Sequence, residues 1–427
     1  MKMHRWTIAG IGALAIGAIA LSGCSTAEPG DGDGEESTTL TIGTDDEGRL
    51  QPTADAFEKA NPGVTVEIVA SGSQGYEEFM RTRINAGTAP DVIRVFPGSG
   101  GNTMTVGQLS AAGLLAPLDD PAWTSELNAA QQSLFTDADG AVVAVPLGAT
   151  ALAPVWNSTA LEAIGAEVPA SYDDLLALCG DARDAGKVVF ALGQKDLFVT
   201  QLTPYAMVAT SIYGPDPEFA QRQLDGEETF VDSPWVAAFE QLIEMRDAGC
   251  FNEGVNGTSY DEAMKMMGAG DALAQVTFAD LTVQQEAAAE GTTFTMTAWP
   301  TDGGGDPYMA VADSYGFSVN AKAENTELAK KFIDYLASPE GQNSFAATTG
   351  GVPSIPNDEF EPTSSTQEEV ATFIASSRTG IWPDQMWPSP DIQQALFTGV
   401  QNLFNDADTP VGIAEAMDAA FQAALDE

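Results

Sequence analysis

The sequence predicts an α/β protein of two domains. Three observations carry this. About 390 residues remain beyond the first 37, more than one core usually serves. Strand and helix patterns alternate along that length. No repeat of fixed period and no second long apolar run interrupts the alternation.

The elements follow in order. In "TLTIGT" Leu40 and Ile42 alternate with threonines as a strand, and 52–60 reads as a helix with Ala56, Phe57 and Ala60 on one face. Asn61-Pro62-Gly63 stops it, and Val64, Val66 and Ile68 alternate as a second strand. "YEEFMRTRINAG" is a helix ending at Gly87, and "DVIRVF" is a short buried strand. Further on, "GAVVAVPLG" is a strand running into 148–156, "ASYDDLLALCGDARDAG" a helix capped by Ser171, and "KVVFAL" a strand. "WVAAFEQLIEMRDAG" is a long amphipathic helix, "DALAQVTF" a strand, "NTELAKKFIDYLA" a helix with Phe332, Ile333 and Leu336 inward, and "AEAMDAAFQAAL" a final helix.

The first 37 residues read differently. Lys2 and Arg5 precede an apolar run from Trp6 to Leu21, of signal-peptide length and short for a membrane span. The run ends in Leu21-Ser22-Gly23-Cys24, which resembles the bacterial lipobox: the Cys24 thiol receives a diacylglyceryl group and the chain is cut just before it. Two acyl chains meet the need for more than one anchoring signal. The alternative is a signal-anchor helix with an incidental cysteine. Residues 25–37 hold no large apolar side chain and read as a flexible tether.

Residues 1–23 contain two of the 17 Lys and Arg and none of the 62 Asp and Glu, so the rest carries 15 against 62, a formal charge of −47. That charge argues against nucleic acid and phosphate-rich partners. It suits a solvated acidic surface, with a site for cations as the alternative. The only histidine is His4, within the leader, so the remaining chain has no Ser-His-Asp triad, Cys-His pair or His-ligated zinc. No metal and no cofactor are expected. Cys179 and Cys250 are an even pair that suggests a disulfide outside the membrane, against two buried thiols.

"ADAFEKANPGVTVEIV", "INAGTAPDVIRVF", "GLLAPLDD", "AVPLGATALAPVWN", "GDALAQV" and "GFSVNAKAENTELAKKFIDYLASPEGQ" occur in that order. Together they resemble the extracellular solute-binding proteins of bacterial ABC importers, family 1, typified by the maltose-binding protein. The resemblance spans essentially the whole chain after the tether. It implies a two-lobed periplasmic-binding-protein-like fold of type II, each lobe a mainly parallel sheet flanked by helices, with a hinged cleft between. The implied lobes are 38–148 with 312–355, and 149–311 with 356–427, crossing near 148–155 and 306–313. It also implies a monomeric, non-catalytic receptor, lipid-anchored on the outer face of the cell membrane beside its ABC permease.

A sugar site needs aromatic faces for C–H surfaces and planar carboxylates or amides for hydroxyl pairs. Strand ends place the candidates. Asp45, Asp46, Glu47 and Arg49 follow the first strand and match the family's first ligand loop. Phe96, Gly98 and Ser99 follow "PDVIRV", Thr150 and Trp156 border the first crossing, and Lys195, Asp196 and Phe198 follow "KVVFAL". Asp280 stands where the family often has a tryptophan, a departure that weakens any inference of the same sugar. Trp382, Asp384 and Trp387 lie in a proline-rich segment, as platforms or as core. Three functions compete: a receptor for a sugar or oligosaccharide, a receptor for a polyamine or other cation, and a secreted carbohydrate-active enzyme with an Asp/Glu pair.

Overall fold

A computed structural model describes residues 38–72, 75–100, 103–118, 122–280, 291–302 and 305–426. The leader, Cys24 and the tether lie outside the described residues. Among those described, no helix is long and apolar enough to cross a membrane.

Among the described residues nine strands form one hydrogen-bonded sheet. They are β1 (Thr38–Thr44), β2 (Val64–Ala70), β3 (Val92–Val95), β4 (Ala144–Asn157), β5 (Val188–Phe190), β6 (Ala272–Phe278), β7 (Phe294–Met296), β8 (Met309–Val319) and β9 (Thr379–Gly380). The spatial order is β2-β1-β3-β8-β4-β6-β5, with β7 beside β4 and β9 beside β8. β1 pairs parallel with β2 and β3, and β5 pairs parallel with β6. β4 and β8 run antiparallel to each other and to β6 and β3 respectively. Each lobe is therefore parallel at its outer strands and antiparallel where the two long strands enter.

β4 explains how one sheet serves two lobes. Its residues 144–152 pair with β8, and 152–157 pair with β6 and β7. Buried along its whole length, it feeds different cores in turn. Val145 and Leu147 pack with Leu40, Phe57, Phe317 and Phe332, whereas Leu152 and Trp156 pack with Leu175, Phe190 and Leu273. Gly148 sits at the change with φ of +71°, and a Cβ there would lie 2.8 Å from the Phe345 ring. The crossing thus requires glycine on both backbone and steric grounds.

Helix Glu47–Ala60 begins before the expected 52–60, because Asp46 caps it by accepting the Arg49 amide at 3.3 Å and Glu47 follows in the positive first turn. Its Phe57 meets Phe332 edge-to-face at 5.0 Å, locking it to helix Thr326–Ala337.

Cys179, in helix Tyr172–Asp184, and Cys250, after helix Trp235–Asp247, are joined as a disulfide across 71 residues inside the second lobe's core. Closing a loop of that length removes about 4 kcal/mol of unfolded-state entropy in the chain-entropy account. Replacing both cysteines by serine is expected to lower unfolding stability by about 3–4 kcal/mol in denaturant titrations, with ligand affinity unchanged. A loss below about 1 kcal/mol would count against the bridge as a structural staple.

Candidate functional site

Where β4 and β8 cross, side chains from both lobes line a partly open cavity of about 400 Å³. Phe96 and Pro97 come from the end of β3, Thr150 from β4, Phe278 and Asp280 from the end of β6, and Asp313 from β8. The segment after β9 supplies Trp382, Asp384 and Gln385, and helix Pro390–Leu403 supplies Gln393.

The first-lobe wall is a web of ion pairs and rings. Asp45 is 7% exposed and pairs with Arg94 at 3.4 Å. The Arg94 guanidinium lies over Phe96 at 4.2 Å and Tyr315 at 4.3 Å. Arg49 donates to the Tyr315 hydroxyl at 2.9 Å and pairs with Asp46 at 3.2 Å. Burial works against the Arg49 charge, yet Tyr315, Asp280 and Asp46 together hold its pKa above the ordinary value.

Among the described residues three carboxylates line the cavity, each held by neutral donors. Thr150 Oγ1 donates to Asp280 at 2.9 Å, Gln131 Nε2 to both oxygens of Asp313 at 3.3 and 3.2 Å, and Gln393 Nε2 to Asp384 Oδ2 at 2.9 Å. Burial pushes Asp280 up, and pushes Asp313 and Asp384 up to about 6, against these hydrogen bonds. Asp384 also has the buried Tyr205 hydroxyl beside it, and among the described residues Trp382 Nε1 and Gln385 Oε1 are shut off from solvent without a hydrogen-bond partner. Trp382 leans on Phe278 at 5.5 Å between ring centroids. Ring faces and hydrogen-bonded carboxylates therefore line one cavity, the combination that holds a small polar ligand.

Across the rim the lobes touch. A Cβ on Gly98 would lie 2.1 Å from the Gln385 carbonyl oxygen, and one on Gly100 2.0 Å from that of Trp387. Ser133 Oγ donates to Met386 Sδ at 3.8 Å beside them. A larger groove of about 510 Å³ lies elsewhere, around Thr39, Asp91 and Lys322. Its buried Asp91 is occupied by the Thr41 amide and hydroxyl and by the Asn325 amide, at 2.8–3.1 Å, so it clasps the lobe.

The sheet brings together Phe96, Thr150, Asp280, Trp382 and Asp384 in the cavity, with Gly98 at the rim and Asp45, Asp46 and Arg49 in the adjoining first-lobe wall. Others expected in the cleft go elsewhere. Trp156 is fully buried, because its alternation along β4 turns it inward; Nε1 donates to Thr297 Oγ1 at 2.9 Å. Trp387 is 2% exposed and packs against Tyr205, Phe230 and Trp235 at 5.7–6.2 Å, since the flanking prolines tuck the ring into the core. Asp196 accepts the Tyr260 amide at 2.8 Å at the start of helix Tyr260–Ala269, so it serves as a cap. Lys195 is exposed, and Phe198, also exposed, rests on Tyr260 outside the cavity. Glu47 is exposed in a first helical turn, and Ser99 is exposed with its Oγ toward Gly107. Sequence reasoning missed Asp313, Phe278, Gln385 and Gln393. Asp313 had a signal, a lone charge in "MAVADSYGFSV"; the two glutamines had none.

The pH response follows from the two carboxylates near 6. Each binds its proton more tightly folded than unfolded, where a carboxylate titrates near 4. Stability without ligand is therefore expected to rise as pH falls from about 7.5 to about 5, levelling off toward 4. Thermal melts across that window check this, and the rise should shrink in a variant carrying Asp313→Asn and Asp384→Asn. A melting temperature that falls over the same window would contradict it.

The family model of the bacterial extracellular solute-binding proteins matches residues 53–373. The chain belongs to that family. This solute-binding protein is 22% identical over 378 residues to the Multiple sugar-binding protein of Streptococcus mutans, covering 86% of this chain and 84% of that one. It is 24% identical over 342 residues to the Melibiose/raffinose/stachyose-binding protein MelE of Bacillus subtilis, covering 78% and 77%. In fold it is similar to the apo-form of RafE from Streptococcus pneumoniae, with a TM-score of 0.74 at 18% identity over 91% of this chain and 98% of that one. The two-lobed architecture is thus shared at low identity.

Proposed function

We propose that this solute-binding protein captures a sugar or oligosaccharide in the cavity between its lobes and delivers it to an ABC importer, as a monomeric receptor lipid-anchored through Cys24 on the outer face of the cell membrane. The observation that carries the reading is the cavity itself. Phe278 and Trp382 offer ring faces, and Asp384, Gln385 and Gln393 offer planar polar groups. The sugar-binding names of the relatives from Streptococcus mutans and Bacillus subtilis favour the same class. The protein does no chemistry on its ligand in this reading.

The lobes are taken as 38–148 with 312–355, and 149–311 with 356–427. In support, one buried cluster draws on 40–147 and 315–355, and another on 152–310 and 387–421. β4 and β8 then act as the hinge, and ligand is held when the lobes close.

Thermal unfolding of the purified full-length protein in detergent, against a panel of mono- and oligosaccharides with polyamines as controls, tests the reading. A ligand at a hundredfold its Kd adds about 2.7 kcal/mol. A shift with one sugar class, unmoved by moderate salt, is expected; silence across all sugars would contradict it. Anchoring is checked separately: Cys24→Ala should abolish acylation and leave the protein off the lipidated membrane fraction, and unchanged acylation would refute the anchor.

A further inference from the structure

Arg94 is an unusual residue for its place. β3 reads Val-Ile-Arg-Val, all four positions are buried, and Arg94 is 6% exposed. A guanidinium withdrawn from water is costly unless it is paired, and an aliphatic side chain would fill the strand without that cost. Asp45 supplies the pairing, at 3.4 Å. The surroundings of the guanidinium plane indicate what it is kept for. Its Cζ lies 4.2 Å from the centroid of the Phe96 ring and 4.3 Å from that of Tyr315, with Tyr76 farther off at 5.6 Å. A planar cation stacks against ring faces in a way that neither an aliphatic chain nor an ammonium can reproduce.

Of these three rings, Phe96 alone lines the cavity, and Arg94 itself does not. The two residues stand two apart, so strand alternation puts both on one face of the sheet. The Phe96 backbone is already fixed: its amide donates to the Met104 carbonyl and its carbonyl accepts the Val106 amide, each at 2.9 Å. What the backbone leaves open is rotation of the ring about its side-chain bonds. The guanidinium closes that freedom from one side, and Asp45 keeps the guanidinium in place. A wall residue ordered in advance spares the ligand the entropy of ordering it.

We propose that Arg94 is a positioning residue for ligand binding: held by Asp45, it fixes the Phe96 ring at one tilt in the cavity wall without touching the sugar. The proposal rests on the carbohydrate reading and adds a determinant of affinity outside the cavity.

A double-mutant cycle on the full-length protein in detergent tests it. Arg94→Lys keeps a charge for Asp45 and loses the plane beside the ring; Phe96→Leu removes the ring. Titration calorimetry uses glucose, galactose, maltose, cellobiose and raffinose, and the tightest of these is carried through the variants, with denaturant titration of each. Arg94→Lys is expected to bind about tenfold or more weaker, the size of one lost desolvated stacking contact. In the Phe96→Leu background the same substitution is expected to change affinity by less than about threefold, because its route to the sugar is gone. A role confined to stability would leave affinity unmoved in the folded Arg94→Lys protein, or give losses that multiply in the double variant; either result would overturn the proposal and leave the carbohydrate reading intact. Should Arg94→Lys fail to fold, Asp45→Asn takes its place in the cycle, with the same masking by Phe96→Leu expected and multiplying losses again overturning it. No binding of any of the five sugars by the wild type would overturn both.

Discussion

Replacing Gly100 by valine is expected to weaken ligand binding at least a hundredfold while leaving the fold intact. A Cβ at this position would sit 2.0 Å from the Trp387 carbonyl oxygen and 2.9 Å from that of Asp384. Both obstacles are backbone, so no rotamer change relieves them. The loop can escape only by drawing the lobes apart, which breaks the rim where Gly98 also lies against Gln385. An open cleft engages ligand from one lobe at a time. A closure penalty of about 3 kcal/mol lowers apparent affinity by about two orders of magnitude. Calorimetry would read the loss. Small-angle scattering should show the variant failing to contract on saturation. Affinity within threefold of wild type would mean that rim contact is incidental to binding.

The second large effect separates two tryptophans five residues apart. Trp382 is partly buried and lines the cavity. Trp387 is buried in the second lobe's core against Tyr205, Phe230 and Trp235. Trp382→Ala is expected to weaken carbohydrate binding by about 2 kcal/mol or more, the usual cost of truncating an enclosed aromatic anchor, with a modest change in stability. Trp387→Ala is expected to cost about 3–5 kcal/mol of stability, the range for emptying a packed aromatic site. Denaturant titration and calorimetry on both variants decide the matter. If Trp387→Ala abolished binding in a fully stable protein, the assignment of the two rings would be reversed.

Sequence reading recovered the alternation of strands and helices because the apolar periods of β1, β6 and helix Thr326–Ala337 are clean and end in strong turn residues. It placed the helix after β1 too late, because an Asp-Asp-Glu-Gly run looks like a loop until Asp46 is seen capping. Single-residue orientation was the weaker part. Thr150, Asp280 and Phe96, chosen as strand ends, line the cavity, since the ends of strands open toward it. Trp156 failed because it lies several residues beyond the crossing, where β4 has already entered the second core. Trp387 failed because prolines near an indole suggest an exposed loop, yet here they fold the ring inward. Gln393 could not have been found: its position depends on how a helix near residue 400 packs against a segment after β9, and local pattern does not encode that.

Hydrogen exchange with and without a sugar selected by the melting panel tests whether one cavity built by both lobes holds the ligand. Simultaneous protection is expected at 96–100 from the first lobe, 278–280 and 382–387 from the second, and 311–315 on the crossing strand β8. Protection confined to one lobe, protection at the groove around Asp91, or no carbohydrate that protects any of these segments would contradict it.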